Sequence, residues 1–145
     1  MNEQHNTPLA PPSQHRPAAL PEEAQRPLWP ALLRGWSGRC PGCGGGPIFE
    51  SYLTVRPSCA ACGEALHHHR ADDLPAWLTI IVVGHILAAL LLFVENAFAP
   101  PLWVHWAAWP ALTIGLTLWF LPRLKGSVVG MQWAWRMHGF GEAGE

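Results

Sequence analysis

Between residues 74 and 122 the chain is almost unbroken apolar sequence, with Glu95 as its one acidic residue and no Asp, Lys or Arg. A polar break with two prolines, at residues 95–101, divides it into LPAWLTIIVVGHILAALLLFV and PLWVHWAAWPALTIGLTLWFLP. Each half supplies roughly 20 apolar residues, enough at ~1.5 Å per residue to cross a ~30 Å hydrocarbon core. Backbone groups in lipid must be bonded within the segment, so the pattern predicts a helical transmembrane hairpin over residues 71–122.

The flanks carry other patterns. Residues 1–30 hold seven prolines and no apolar run, which predicts an extended, solvated tail. Trp29, Leu32, Leu33 and Trp36 recur at helical spacing, suggesting a short amphipathic turn with Arg34 and Arg39 near lipid head groups. Ile48, Phe49, Tyr52, Leu53 and Val55 alternate in part, as strands do. Beyond the hairpin, Leu124, Val128, Met131 and Trp135 predict a juxtamembrane amphipathic helix over residues 123–140. It either lies along the membrane face or packs on the hairpin or a partner. Residues 141–145 read as a frayed tail.

Composition agrees with a membrane protein. Hydrophobic residues are 50% and charged residues 13% of 145, and the net charge of -1 provides no field for nucleic acid. The four cysteines share one short window. Cys40-Pro-Gly-Cys43 and Cys59-Ala-Ala-Cys62 are CxxC pairs fifteen residues apart. Two residues between cysteines let both sulfurs of a turn face one ion, and two such turns complete a tetrahedral sulfur site. With the alternating residues between them, they predict a four-cysteine zinc ribbon at residues 31–70 holding one structural Zn2+. Sulfur ligation alone also admits iron.

Outside the cysteines, His67, His68, His69, Asp72 and Asp73 stand just before the first apolar half. They offer a possible second metal site together with Glu95. The plainer alternative is that the carboxylates cap the helix, ahead of Pro75, and the histidines form a solvated connector. His85 and His105 lie within the apolar halves, where an ionisable residue is a candidate cofactor ligand. Counted from the turn their depths differ by roughly 9–10 Å, so one chain does not easily offer both to a single haem iron. Glu95 and His105 are closer, about 5 Å apart in depth.

Arg34, Arg39, Arg56 and Arg70 precede the hairpin, Arg123, Lys125 and Arg136 follow it, and the turn has no basic residue. The positive-inside rule then places both termini and the cysteines in the cytoplasm, where thiols stay reduced.

The segments RCPGCGGGPIF (39–49), CAACGEALHHHRADDLPAWLTIIVVGH (59–85), FAPPLWVHWAAWP (98–110) and LPRLKGSVVGMQWAWRMHGF (121–140) resemble the DUF983 family of small cysteine-rich bacterial membrane proteins. The resemblance implies a bacterial inner-membrane protein without an established activity, and an association with cytochrome oxidase assembly. The leading expectation is a non-enzymatic adaptor or assembly factor that docks on an integral membrane partner or on a second copy of itself. The alternatives are metal or haem handling through His67, His68, His69, His85 and His105, and a metal-dependent membrane enzyme. An enzyme is disfavoured, because no serine sits in a nucleophile elbow and the glycines at 44–46 belong to a cysteine turn.

Overall fold

The computed structural model describes residues 26–70 and 73–140, so most of the N-terminal tail, Asp72 and the last five residues lie outside the description. Three helices form the frame: α1 (Leu28–Trp36), α2 (Leu74–Phe98) and α3 (Leu102–Ala134), followed by a single 3-10 turn at Met137–Gly139.

α1 tolerates Pro30 because the first turn of a helix has no internal use for those N–H groups. It ends in a Schellman arrangement: Gly38 N–H reaches Gly35 O, Arg39 N–H reaches Arg34 O, and Gly38 takes the left-handed φ of +69° that the turn needs. α2 ends at Ala99, which is left-handed, and Pro100 and Pro101 then prevent the helix from continuing. The turn is therefore shorter than the polar break suggested, and Glu95 and Asn96 belong to the last turn of α2. Asp73 precedes α2 without a side-chain cap bond, and Pro75 takes a first-turn position.

α2 and α3 are apolar and long enough to span a bilayer. The molecule is a membrane protein with two such helices. α2 buries only Pro75, Thr79 and Val83, and α3 buries nothing before Gly126. Their large apolar side chains face outward, as contact with lipid requires.

The structure departs from the sequence pattern in two places. The described residues contain no β-strand; residues 39–65 carry only isolated bridges, Arg39 with Pro47, Phe49 with Val55 and Ser58 with Ala65. The cysteine turns are thus not a zinc ribbon, which requires a β-hairpin. Ile48 and Val55 are buried in a shared core with Val128, Val129 and Trp133 of α3, and Phe49 packs against that core. Packing against a helix, and not cross-strand pairing, uses up the alternating side chains. Secondly, the stretch after Pro122 is no separate amphipathic helix. α3 runs unbroken through Pro110 and Pro122 for 33 residues, about 50 Å of rod against a ~30 Å hydrocarbon core.

At Pro122 the carbonyl left without a helical donor finds another. Proline has no N–H to give the carbonyl four residues earlier, which is that of Leu118. The Tyr52 hydroxyl donates to that carbonyl instead, at 2.6 Å.

The extension of α3 carries the core. Ala31 and Gly35 of α1 face Gly130 and Gly126 of α3 so closely that a Cβ on Gly35 would overlap the Gly126 carbonyl oxygen, and one on Gly130 would overlap that of Ala31. Small residues four apart on both helices permit this backbone contact. After α3, left-handed conformations at Arg136, His138 and Gly139 fold the chain back and bury Phe140 in the same core.

Candidate metal centre

The two cysteine turns are built alike. Gly44 N–H donates to Cys40 O and Gly63 N–H to Cys59 O, with left-handed φ at both glycines. Cys40 N–H then meets Gly46 O, as Cys59 N–H meets Glu64 O. In each turn the first cysteine is buried and the second exposed. The turns face one another, with Cys40 Sγ 3.8 Å from Cys62 Sγ and Cys43 Sγ 3.8 Å from Cys59 Sγ. All four sulfurs lie within 4.8 Å of one another. A tetrahedron of thiolates ~2.3 Å from a central zinc has edges of about 3.8 Å. The sulfurs therefore fit one tetrahedral ion, and Cys40, Cys43, Cys59 and Cys62 would hold it. Bound there, an ion would cross-link the two turns.

The sulfurs are not electrically equivalent. Burial pushes the Cys40 thiol up to about 12, against the backbone N–H groups of Cys43 and Gly42. Backbone N–H groups of Gly45 and Gly46 draw Cys43 down to about 6. Burial works to raise Cys59, but donors from Ala61 and Cys62 help to leave it lowered, whereas burial leaves Cys62 raised.

Several supporting residues were not legible as such. Arg34 does not reach for lipid. Its guanidinium donates to the carbonyls of Pro41 (2.9 Å) and Gly42 (2.7 Å), clamping the first turn to α1. Gly46 is buried, and a Cβ there would stand 2.7 Å from Cys59 Sγ. The third glycine of the GGG run was its one sequence signal. Trp133 touches both turns: a Cβ on Gly42 would meet its ring at 3.4 Å, and its indole N–H donates to Glu64 at 2.7 Å. Arg26 stacks 4.5 Å from the Trp133 ring centroid and approaches Glu64 at 3.7 Å. No periodic pattern connects residues so far apart in sequence.

The histidines are dispersed. His67 stacks on His68 at 4.0 Å, His68 meets the edge of Phe140, and His69 Nδ1 bonds the Leu66 carbonyl. Gln132, only 3% exposed, accepts from Arg70 N–H and donates to Arg70 O, pinning the connector to α3. Asp72 lies outside the described residues. His85 Nδ1 bonds the Ile81 carbonyl of its own helix. His105 and Glu95 do meet, at 3.3 Å across the turn. Trp109 Nε1 can only donate, so His105 Nδ1 accepts that 2.8 Å bond, and its Nε2 carries the proton toward Glu95. Among the described residues, the four cysteines are the one set of three or more such side chains close enough to share an ion.

A family model described as "Protein of unknown function (DUF983)" matches residues 49–133, more than half of the chain. The chain belongs to the DUF983 family. The span matched to DUF983 takes in Cys59, Cys62, α2 and α3 as far as Trp133, while Cys40 and Cys43 precede it. Comparison with curated proteins and with solved structures returned no match. This DUF983 protein is thus a small membrane-associated protein whose cysteine cluster is able to chelate a metal.

Proposed function

We propose that the chain is a non-enzymatic adaptor of the bacterial inner membrane, with a zinc-stabilised docking module on the cytoplasmic side. The observation that carries this reading is the closure of the four sulfurs on one point. Four thiolates fill a tetrahedral ion and leave no position for substrate or water, so the ion's role is structural. The module it stabilises is seated on the extension of α3 and is small and rigid, which suits recognition at low ordering cost.

The topology rests on charge. Arg34, Arg39, Arg56, Arg70, Arg123, Lys125 and Arg136 flank the hairpin on the cysteine side, and the turn carries none. The partner is an integral membrane protein or a second copy of the chain, since the hairpin alone buries little of its surface. The DUF983 resemblance makes a respiratory oxidase under assembly the first complex to test.

The test is purification of the full chain in mild detergent, followed by elemental analysis, an absorption spectrum and mass spectrometry of co-purifying proteins. One zinc per chain and a co-purifying membrane complex, lost together in a Cys40→Ser/Cys43→Ser variant that still inserts, is the expected result. A complex retained by that variant overturns the docking role of the module. Iron absorption overturns the choice of zinc. A reporter fused after Glu145 that is active only in the periplasm overturns the topology.

A further inference from the structure

A groove of about 520 Å³ opens where α1, the cysteine module and α3 meet, lined by Trp36, Ser37, Gly38, Phe49, Trp119, Pro122 and Arg123. That volume is in the range of small-ligand sites. Its height in the membrane is fixed by sequence: α3 has no Asp, Glu, Lys or Arg from Leu102 to Pro122, and Arg123 is the first charge after the apolar span. Trp119, one turn deeper, meets Trp36 edge to face at 6.1 Å. Tryptophan above lipid and arginine above tryptophan is the arrangement of a head-group layer.

Arg123 is held ready. One guanidinium nitrogen donates to Trp119 O at 2.7 Å, and the plane lies 4.0 Å from the Trp119 ring centroid. Its remaining nitrogens have no partner among the described residues, and no carboxylate lines the groove. Ser37 donates its hydroxyl proton to Leu33 O, which leaves its oxygen as an acceptor. Below the groove, Leu118 and Ile114 lie on the face of α3 that includes Pro122 and are 54% and 60% exposed, an apolar track toward the bilayer interior.

We propose that this groove binds the head group of an anionic phospholipid, with the phosphodiester on Arg123, a head-group hydroxyl on Ser37 and an acyl chain along Leu118 and Ile114. One cation without a counter-carboxylate matches one phosphodiester. A zwitterionic lipid would bring an amine that nothing in the groove neutralises.

The test is native mass spectrometry of the full chain titrated with dioleoyl phosphatidylglycerol, dioleoyl phosphatidylcholine or free glycerol 3-phosphate. Wild type is expected to retain phosphatidylglycerol about fivefold better than phosphatidylcholine, and Arg123→Gln to lose about that factor. Ser37→Asp, which places an anion in the groove without removing the cation, has the same expected effect and keeps the test open should Arg123→Gln fail to fold. Arg70→Gln, an equal charge change on the connector, leaves retention unchanged. Equal retention of the two lipids, or wild-type retention by the groove variants, overturns the proposal. Displacement of the lipid by equimolar glycerol 3-phosphate overturns the lipid source and points to a soluble phosphate ester.

Discussion

The indole N–H of Trp133 donates to a carboxylate oxygen of Glu64 at 2.7 Å, joining the far end of α3 to the residue that closes the second cysteine turn. Trp133→Phe deletes this bond together with the indole edge that faces Gly42. The partly exposed carboxylate then keeps Arg26 as its partner, so the expected loss is about 1–2 kcal/mol, read by denaturant unfolding in detergent. Metal should leave faster to a chelator in the same variant. An unchanged midpoint and unchanged release would show that the bond does not hold the turns to the helix.

Gly46→Ala tests the metal site without touching a ligand. The added methyl presses on Cys59 Sγ, so metal affinity is expected to fall by about tenfold or more, which is ~1.4 kcal/mol. Gly45→Ala is the control. Its Cβ would find Ala61 at 3.7 Å, an ordinary contact, and affinity is expected to stay within about twofold. A competition titration against a chelating dye distinguishes them.

The metal-free protein should react with iodoacetamide in a fixed order. Thiolate, not thiol, is the nucleophile. Cys43 is exposed and lowered to about 6, so its alkylation should rise through that pH and level off by neutrality. Cys40 is buried and raised to about 12, so it stays protonated and slow throughout the accessible range. Peptide mapping of partly labelled protein checks the order. For the same reason metal should be released as pH falls, because each thiolate then exchanges metal for a proton.

Tyr52→Phe strands the Leu118 carbonyl that Pro122 leaves without a helical donor. The expected cost is about 1 kcal/mol, read by the same denaturant unfolding. Pro122→Ala in the Tyr52→Phe background restores an N–H to that carbonyl and should recover much of the loss. Additive effects of the two substitutions would break the connection between them.

Much of the centre was legible because its chemistry is local. Two CxxC spacings name all four sulfurs, and the apolar run names both long helices. The strand expectation failed at Ile48 and Val55 because their periodicity reports which side chains are buried, not what buries them. Ile48 and Val55 pack on α3, while Tyr52 reaches its backbone. The break expected after Pro122 failed for the complementary reason: proline removes a donor, and a tyrosine 66 positions from the carbonyl it serves replaces it. Ala31 and Gly35, and Gly126 and Gly130, are small residues four apart, but only the fold says that the two pairs meet. Trp133, Glu64 and Arg34 left no local trace of their roles.

Because α3 continues past the hydrocarbon core without a joint, it acts as a lever. The segment from Arg123 to Ala134 extends about 18 Å beyond the hydrocarbon core, with α1 and the cysteine turns fastened to it. A change of about ten degrees in the tilt of the hairpin would swing the far end by about 3 Å. A partner packed against α2 and α3 within the membrane would thereby shift the sulfur cluster outside it, with no signal needing to pass through a flexible linker.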